Sequence, residues 1–224
     1  AQGAEPLLVP ALGGSLPERR VDLYADAVKL LLDWWEMQRV VRNPAGDAVV
    51  MQPSLSEALT VGHDRILAQL NHLAYAAHAS QPALVGAADI AEKDLVDALL
   101  SIARNRGVKP LLLVEYLRDR AGLLTPRGVK VYSFPHRTFQ EYLAACHLTE
   151  DNFPDTVAEL ARRDPNRWRE VALLAGAKAA GGPASGGTAF ALWSLVDALC
   201  YRSPDDAIFG ADDCWGALLA GQAL

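Results

Sequence analysis

Residues 132–148 read YSFPHRTFQEYLAACHL, and the reading of this stretch decides the fold. It opens as a strand in which Tyr132 and Phe134 share one face and Val131 and Ser133 the other. Pro135 stops the strand and suits the first turn of a helix. Phe139, Tyr142, Leu143 and Cys146 then recur at helical spacing and form one apolar stripe. His136 stands at the junction, where a helix has unpaired N–H groups and the positive end of its dipole. An imidazole there can donate to a phosphate, beside backbone N–H groups that favour an anion. On the residues alone, a structural histidine closing the junction is the better account, because isolated histidines are seldom ligands.

Working backwards, Leu123-Leu124-Thr125, then Pro126-Arg127-Gly128, then residues 129–134 read as strand, turn, strand. Pro110 opens a helix that packs through Leu113, Tyr116 and Leu117, with Gly122 as its left-handed C-cap. Asp89 with Glu92 caps the helix before it, which turns Leu95, Ala98, Leu99 and Ile102 inward. Helix, turn, helix and a two-stranded wing make a winged helix. Further upstream, Ser54 to Glu57 forms a capping box ahead of a helical pattern through Ile66, Leu70, Leu73 and Ala77. His63, His72 and His78 lie on that pattern at spacings that make no metal face, so they read as surface or half-buried. Asn43-Pro44-Ala45-Gly46 is a turn signal. Ser15-Leu16-Pro17-Glu18 is another capping box, and its helix is expected to run to about Val40. Tyr24, Ala27, Val28, Leu31, Trp34 and Trp35 face the core there, and Asp22, Asp26, Lys29, Asp33 and Glu36 face water.

Downstream, the chain continues as punctuated helices. One follows Pro154, a second is capped by Asp164-Pro165, a third spans about residues 188–201, and a fourth follows Asp212 and Asp213. The loop 181–187 holds glycines but no lysine in a phosphate-binding place, and reads as a linker.

Composition bounds the function. The chain has 224 residues, 51% of them hydrophobic, and a net charge of −6. That is ample for a core and argues against a dedicated nucleic-acid binder. Cys146, Cys200 and Cys214 form no paired motif, which fits a reducing, cytoplasmic setting with buried thiols better than a disulfide framework. No apolar run is long enough to span a membrane. Nothing matches the Walker A pattern G-x-x-x-x-G-K-[ST] or a Walker B strand, and no metal or catalytic signature is present. No catalytic residue and no metal ligand is therefore assigned.

The stretch that opens this section resembles a known signature. Phe134, His136, Phe139, Gln140, Glu141, Tyr142, Leu143, Ala144 and Ala145 match F-x-H-x-x-F-Q-E-Y-L-A-A, which looks like the last strand and helix of the winged helix in NACHT-type signal-transduction NTPases. These are switch ATPases related to NOD-like receptors. The L-P-E-R-R…W-E-x-x-R wording of residues 16–39 is similar to the helix that opens that module. The resemblance implies that His136 reaches the β-phosphate of ADP and helps lock the resting state. Phe134, Phe139, Gln140, Glu141, Tyr142 and Leu143 would be packing and bonding residues of the module. It also implies a weaker adenine contact from Pro6, in Glu5-Pro6-Leu7-Leu8, although Glu5 replaces the motif's asparagine and Pro10 cuts the helix that normally follows, so a plain connector with a proline is the better reading there.

The resulting expectation is a mainly α chain. Residues 1–14 connect to an NTPase core lying upstream, 15–150 form the winged-helix region with a small β-hairpin wing, and 151–224 begin a C-terminal helical domain, HEAT-like or bundle-like. By the same resemblance, the parent is a P-loop NTPase that holds ADP or ATP with Mg, and this portion alone holds none. The implied partners are the chain's own NTPase core and further copies on activation, and the implied role is cytoplasmic signalling, often antiviral defence.

A different reading is a DNA-binding winged-helix regulator with a helical effector. Residues 104–130 carry Arg104, Arg106, Lys109, Arg118, Arg120, Arg127 and Lys130 against only Glu115 and Asp119. Against it, the candidate recognition helix begins Pro110-Leu111-Leu112-Leu113-Val114, apolar where base-reading side chains should stand.

Overall fold

The computed structural model describes residues 17–42, 48–119, 122–150, 152–181, 189–200 and 211–223. Pro6, the 1–14 connector, Ser15, the 43–46 turn, Arg120 and most of the 181–187 linker lie outside them. In chain order the elements are α1 (Arg20–Glu36), β1 (Arg39–Arg42), β2 (Ala48–Gln52), α2 (Leu55–Leu59), α3 (His63–Ser80), β3 (Ile90–Ala91), α4 (Glu92–Ile102) and α5 (Pro110–Asp119). They continue with β4 (Thr125–Gly128), β5 (Val131–Ser133), α6 (Arg137–Leu148), α7 (Asp155–Arg163), α8 (Pro165–Ala179), α9 (Ala189–Cys200) and α10 (Ala211–Ala223). The architecture is mainly helical, with a winged helix followed by further helices.

The wing has three strands rather than two. β5 lies in the middle, antiparallel to β3 on one side and β4 on the other. Ile90 pairs with Tyr132 and Ala91 with Val131. The segment 89–92 thus enters α4 through a strand, and Ala91, not Asp89, is the N-cap residue. Tyr132 and Ser133 of β5 are both buried, as is Phe134 just after it, so both faces are covered at this end of the strand, where alternation alone would expose one. Pro126 falls inside β4, an edge strand, where its missing N–H costs no ladder bond. The turn is displaced to Val129 and Lys130. Lys130 has φ 58°, and a register shift sits between Pro126 and Gly128.

A second hairpin, β1 with β2, pairs Val40 with Val50 and Val41 with Val49. It ends α1 at Glu36 instead of near Val40. The β-branched runs on either side of residues 43–47 are the signal available in the sequence, because such residues favour a pleated strand over a helix end. α1 itself begins at Arg20, after the 15–18 capping pattern, and its N-cap Arg19 offers no side-chain cap. Its core row is Val21, Val28, Leu32 and Trp35, whereas Trp34, expected inside, is exposed. The Ser54 capping box is present: Ser54 Oγ accepts from Glu57 N at 3.2 Å and Glu57 accepts from Ser54 N at 2.9 Å. It opens the short α2, and Thr60, in the left-handed region, closes it before α3 starts.

α6 is the hub. It packs on α3 and α8 and touches α1. Ala144 and Ala145 are fully buried, and small side chains let those neighbouring helices approach closely. Pro135 lies just outside the helix, since His136 takes the N-cap position in an extended conformation. After α7, Asp164 accepts from Arg167 N and caps α8, with Pro165 in the first turn. Trp168, Val171, Ala172 and Ala175 then face the core. α10 lies so close to α9 that a Cβ at Gly216 would stand 2.4 Å from the Leu199 carbonyl oxygen, a place only glycine fills. Of the cysteines, Cys146 is buried, while Cys200 and Cys214 are exposed on these outer helices.

A histidine at the head of the hub helix

His136 is exposed at the N-terminus of α6. Its backbone carbonyl accepts from Phe139 N at 3.1 Å, while its side chain makes no capping bond. The ring lies near-parallel to that of Phe139, with centroids 6.5 Å apart and planes 27° apart. Phe139 in turn meets Tyr24 of α1 edge-on at 6.0 Å, and the Arg20 guanidinium lies 5.9 Å above the Tyr24 ring. Arg20 is itself paired with Glu170 of α8 at 2.6 Å, and that bond raises its pKa above the ordinary arginine value. The imidazole thus stands on an aromatic ledge, beside the free N–H groups that begin α6.

The frame beneath it is held by buried polar bonds. Arg137 follows His136 and opens α6. It is half-buried, binds Glu141 Oε1 through Nε at 2.7 Å and donates to the Leu84 carbonyl. Burial, partly offset by Arg137, raises the Glu141 carboxyl above its usual range. Gln140 is completely buried. Its Oε1 accepts from Ala88 N at 2.7 Å, and its Nε2 faces His78 Nδ1 at 3.0 Å and Gln81 Oε1 at 3.4 Å.

His78, expected at or near the surface, is also fully buried. Its Nε2 stands 3.0 Å from the Arg167 carbonyl, which fixes the protonated Nε2–H tautomer with Nδ1 as acceptor from Gln140. Burial is the main reason its pKa falls to about 4. Arg167 closes the network, donating to the carbonyls of His78 and Gln81 at 2.7 and 2.8 Å and pairing with Asp164 at 3.1 Å. α3, the loop 81–88, α6 and α8 are therefore tied by one set of bonds, and His136 projects from it.

The remaining matched residues are structural here. Phe134, Tyr142 and Leu143 are buried, and Phe139 is half-buried. Sequence reasoning did not single out Arg20, Gln81 or Arg167 and placed His78 at or near the surface; the distant partners that fix them lie 59 or more residues away, beyond any local period. Among the described residues, no group of three or more His, Cys, Asp or Glu side chains is placed to hold a metal, and no helix is long and apolar enough to cross a membrane.

The basic segment is spread along the surface. Arg104, Arg106 and Lys109 are exposed between α4 and α5, and Arg127 lies 3.7 Å from Asp89 on the wing. At the start of α5 the exposed side chain is Leu111, so the helix offers carbon where a base reader needs donors and acceptors.

Fold and strand–helix junction together define a winged-helix module with His136 exposed at the head of α6. Residues 20–148 match the family model of the winged helix-turn-helix domain C-terminal to NACHT, and the chain belongs to that family. Nothing among curated proteins or solved structures matches it. The module is not itself a P-loop catalytic domain, and family membership implies association with an upstream NACHT domain.

Proposed function

We propose that this chain is the regulatory portion of an ATP-binding signalling switch, in which His136 reads the nucleotide held by the upstream NACHT core. With ADP and Mg in that core, the imidazole bonds the β-phosphate and the module docks in the closed state. Exchange for ATP removes the contact, the module swings away, and copies assemble for cytoplasmic signalling, antiviral defence being the natural setting. In this reading 1–14 is the connector from the core, 15–150 the moving module and 151–224 the start of a HEAT-like or bundle-like helical domain, with Pro6 near the adenine.

The observation that carries the proposal is an imidazole with no hydrogen bond among the described residues, exposed at a helix N-terminus where Arg137 and Gln140 are committed to internal bonds. A residue kept for packing would be buried or bonded, as His78 is. A ligand shifts a two-state equilibrium only by its differential affinity, and one charge-assisted bond contributes about 1.5–3 kcal/mol. His136→Ala in the full-length protein is therefore expected to weaken ADP retention roughly tenfold or more and to give signalling without a trigger. Nucleotide content after purification and the oligomeric state measure both, and unchanged ADP occupancy with unchanged activity refutes the role.

A further inference from the structure

We propose that the outward face of α1 is a docking surface for a basic amphipathic helix of a partner protein. α1 carries two apolar rows. The inner row, Val21, Val28, Leu32 and Trp35, is the buried one. The outer row is Leu23, Ala27, Leu30, Trp34 and Met37, at alternating spacings of four and three. Its large members are 40%, 43%, 49% and 46% exposed for Leu23, Leu30, Trp34 and Met37. Half-buried Tyr24 and Leu31 fill the sector between the rows. At 100° per residue the apolar arc is about 200°, twice the roughly 100° that one packed face needs.

The four-three spacing is the seam that a second helix meets by knobs into holes. An exposed tryptophan at its centre is the residue type that most often anchors a protein interface. The charge beside the seam chooses the occupant. Asp26 and Asp33 line its open edge, both exposed and neither ion-paired to a described side chain. Asp22, further round, is already paired with Arg19 at 3.0 Å. A second copy of α1 fits poorly. Antiparallel seams would set Asp26 and Asp33 against their own equivalents, and parallel seams would set them against Tyr24 and Leu31. An anionic membrane meets the same acidic edge and is repelled. A helix with its own apolar seam, flanked by Lys or Arg, matches both features.

The test needs no nucleotide and is independent of the reading of His136. The probe is a fluorescein-labelled three-heptad peptide with Leu at the seam and Lys at the flanking positions, which repel self-association. The 224-residue chain is titrated into it. Controls are a peptide with Glu at the flanks and a Lys peptide of the same composition with the seam scrambled. The Lys-flanked peptide is expected to bind at least tenfold more tightly than either control, and more weakly as salt rises. Leu30→Glu and Trp34→Glu, at exposed positions that leave the fold's melting temperature nearly unchanged, are expected to abolish that preference. Asp26→Lys with Asp33→Lys is expected to transfer it to the Glu-flanked peptide. Equal binding by the scrambled peptide, or no effect of Leu30→Glu, overturns the proposal. So does a dimer in sedimentation that Leu30→Glu dissolves, or Leu30-dependent flotation with anionic vesicles.

Discussion

Replacing Trp35 by alanine is expected to remove about 3–5 kcal/mol of folding stability, while the same change at Trp34, its neighbour, removes about 1 kcal/mol or less. Trp35 is 2% exposed and belongs to the set of large, fully enclosed side chains between α1 and the rest of the core. Its removal leaves a hole that rigid neighbours, among them fully buried Leu32 and Leu55, fill only in part. Trp34 points outward from the same turn, and truncation there opens no cavity. Urea unfolding of the two variants against the parent chain gives both numbers. Equal losses would mean that α1 is rotated about its axis so that Trp34 also packs inward, and that its outer row is not a free surface.

The second large effect lies beneath His136. Gln140→Leu keeps the volume but strips both polar ends. Ala88 N–H then loses its acceptor and His78 Nδ1 its donor in a space closed to water. With about 1–3 kcal/mol for each buried group left unmatched, the expected loss is about 2–4 kcal/mol. His78 itself gives the network a pH signature. Its pKa is near 4 in the folded chain, below the usual 6.5, because burial disfavours the imidazolium. The unfolded chain therefore takes up the proton first as pH falls. The stability His78 contributes is complete above about pH 6.5 and is lost progressively down to about pH 4, with a magnitude of about 3 kcal/mol. The raised Glu141 carboxyl acts in the opposite sense, since the folded state then binds its proton more readily. NMR titration of the His78 ring isolates the first effect: a midpoint near 4 is expected, and one near 6.5 would show that the imidazole reaches water.

Much of the fold was legible in the sequence because it rests on local rules. Pro135 followed by the 139–146 spacing identifies a strand running into a helix. Ser54 with Glu57 and Asp164 with Pro165 identify helix starts by cap chemistry that reaches only three positions along the chain. The family motif singles out His136, and the structure leaves that side chain exposed and free of a capping bond.

Periodicity, however, reports that a helix has an apolar side, not how many sides are covered. α6 reads as a helix with one stripe, yet neighbours on several sides bury Gln140 and Glu141 along with Leu143, so polar groups inside it had to find partners. α1 reads as a helix with Trp34 and Trp35 both inside, because residues 100° apart fall within one broad apolar arc.

What the sequence by itself determined is the set of elements fixed by neighbours within a few residues, the winged-helix order and the histidine at the head of α6. Only the tertiary structure decided that β3 joins the wing, that Arg137 is an internal clamp, that His78 and Arg167 bond across 89 residues, and that one row of α1 remains open. The physical reason is that caps and turns are satisfied by adjacent backbone, whereas burial, pairing and exposure depend on which distant element arrives to supply the missing partner.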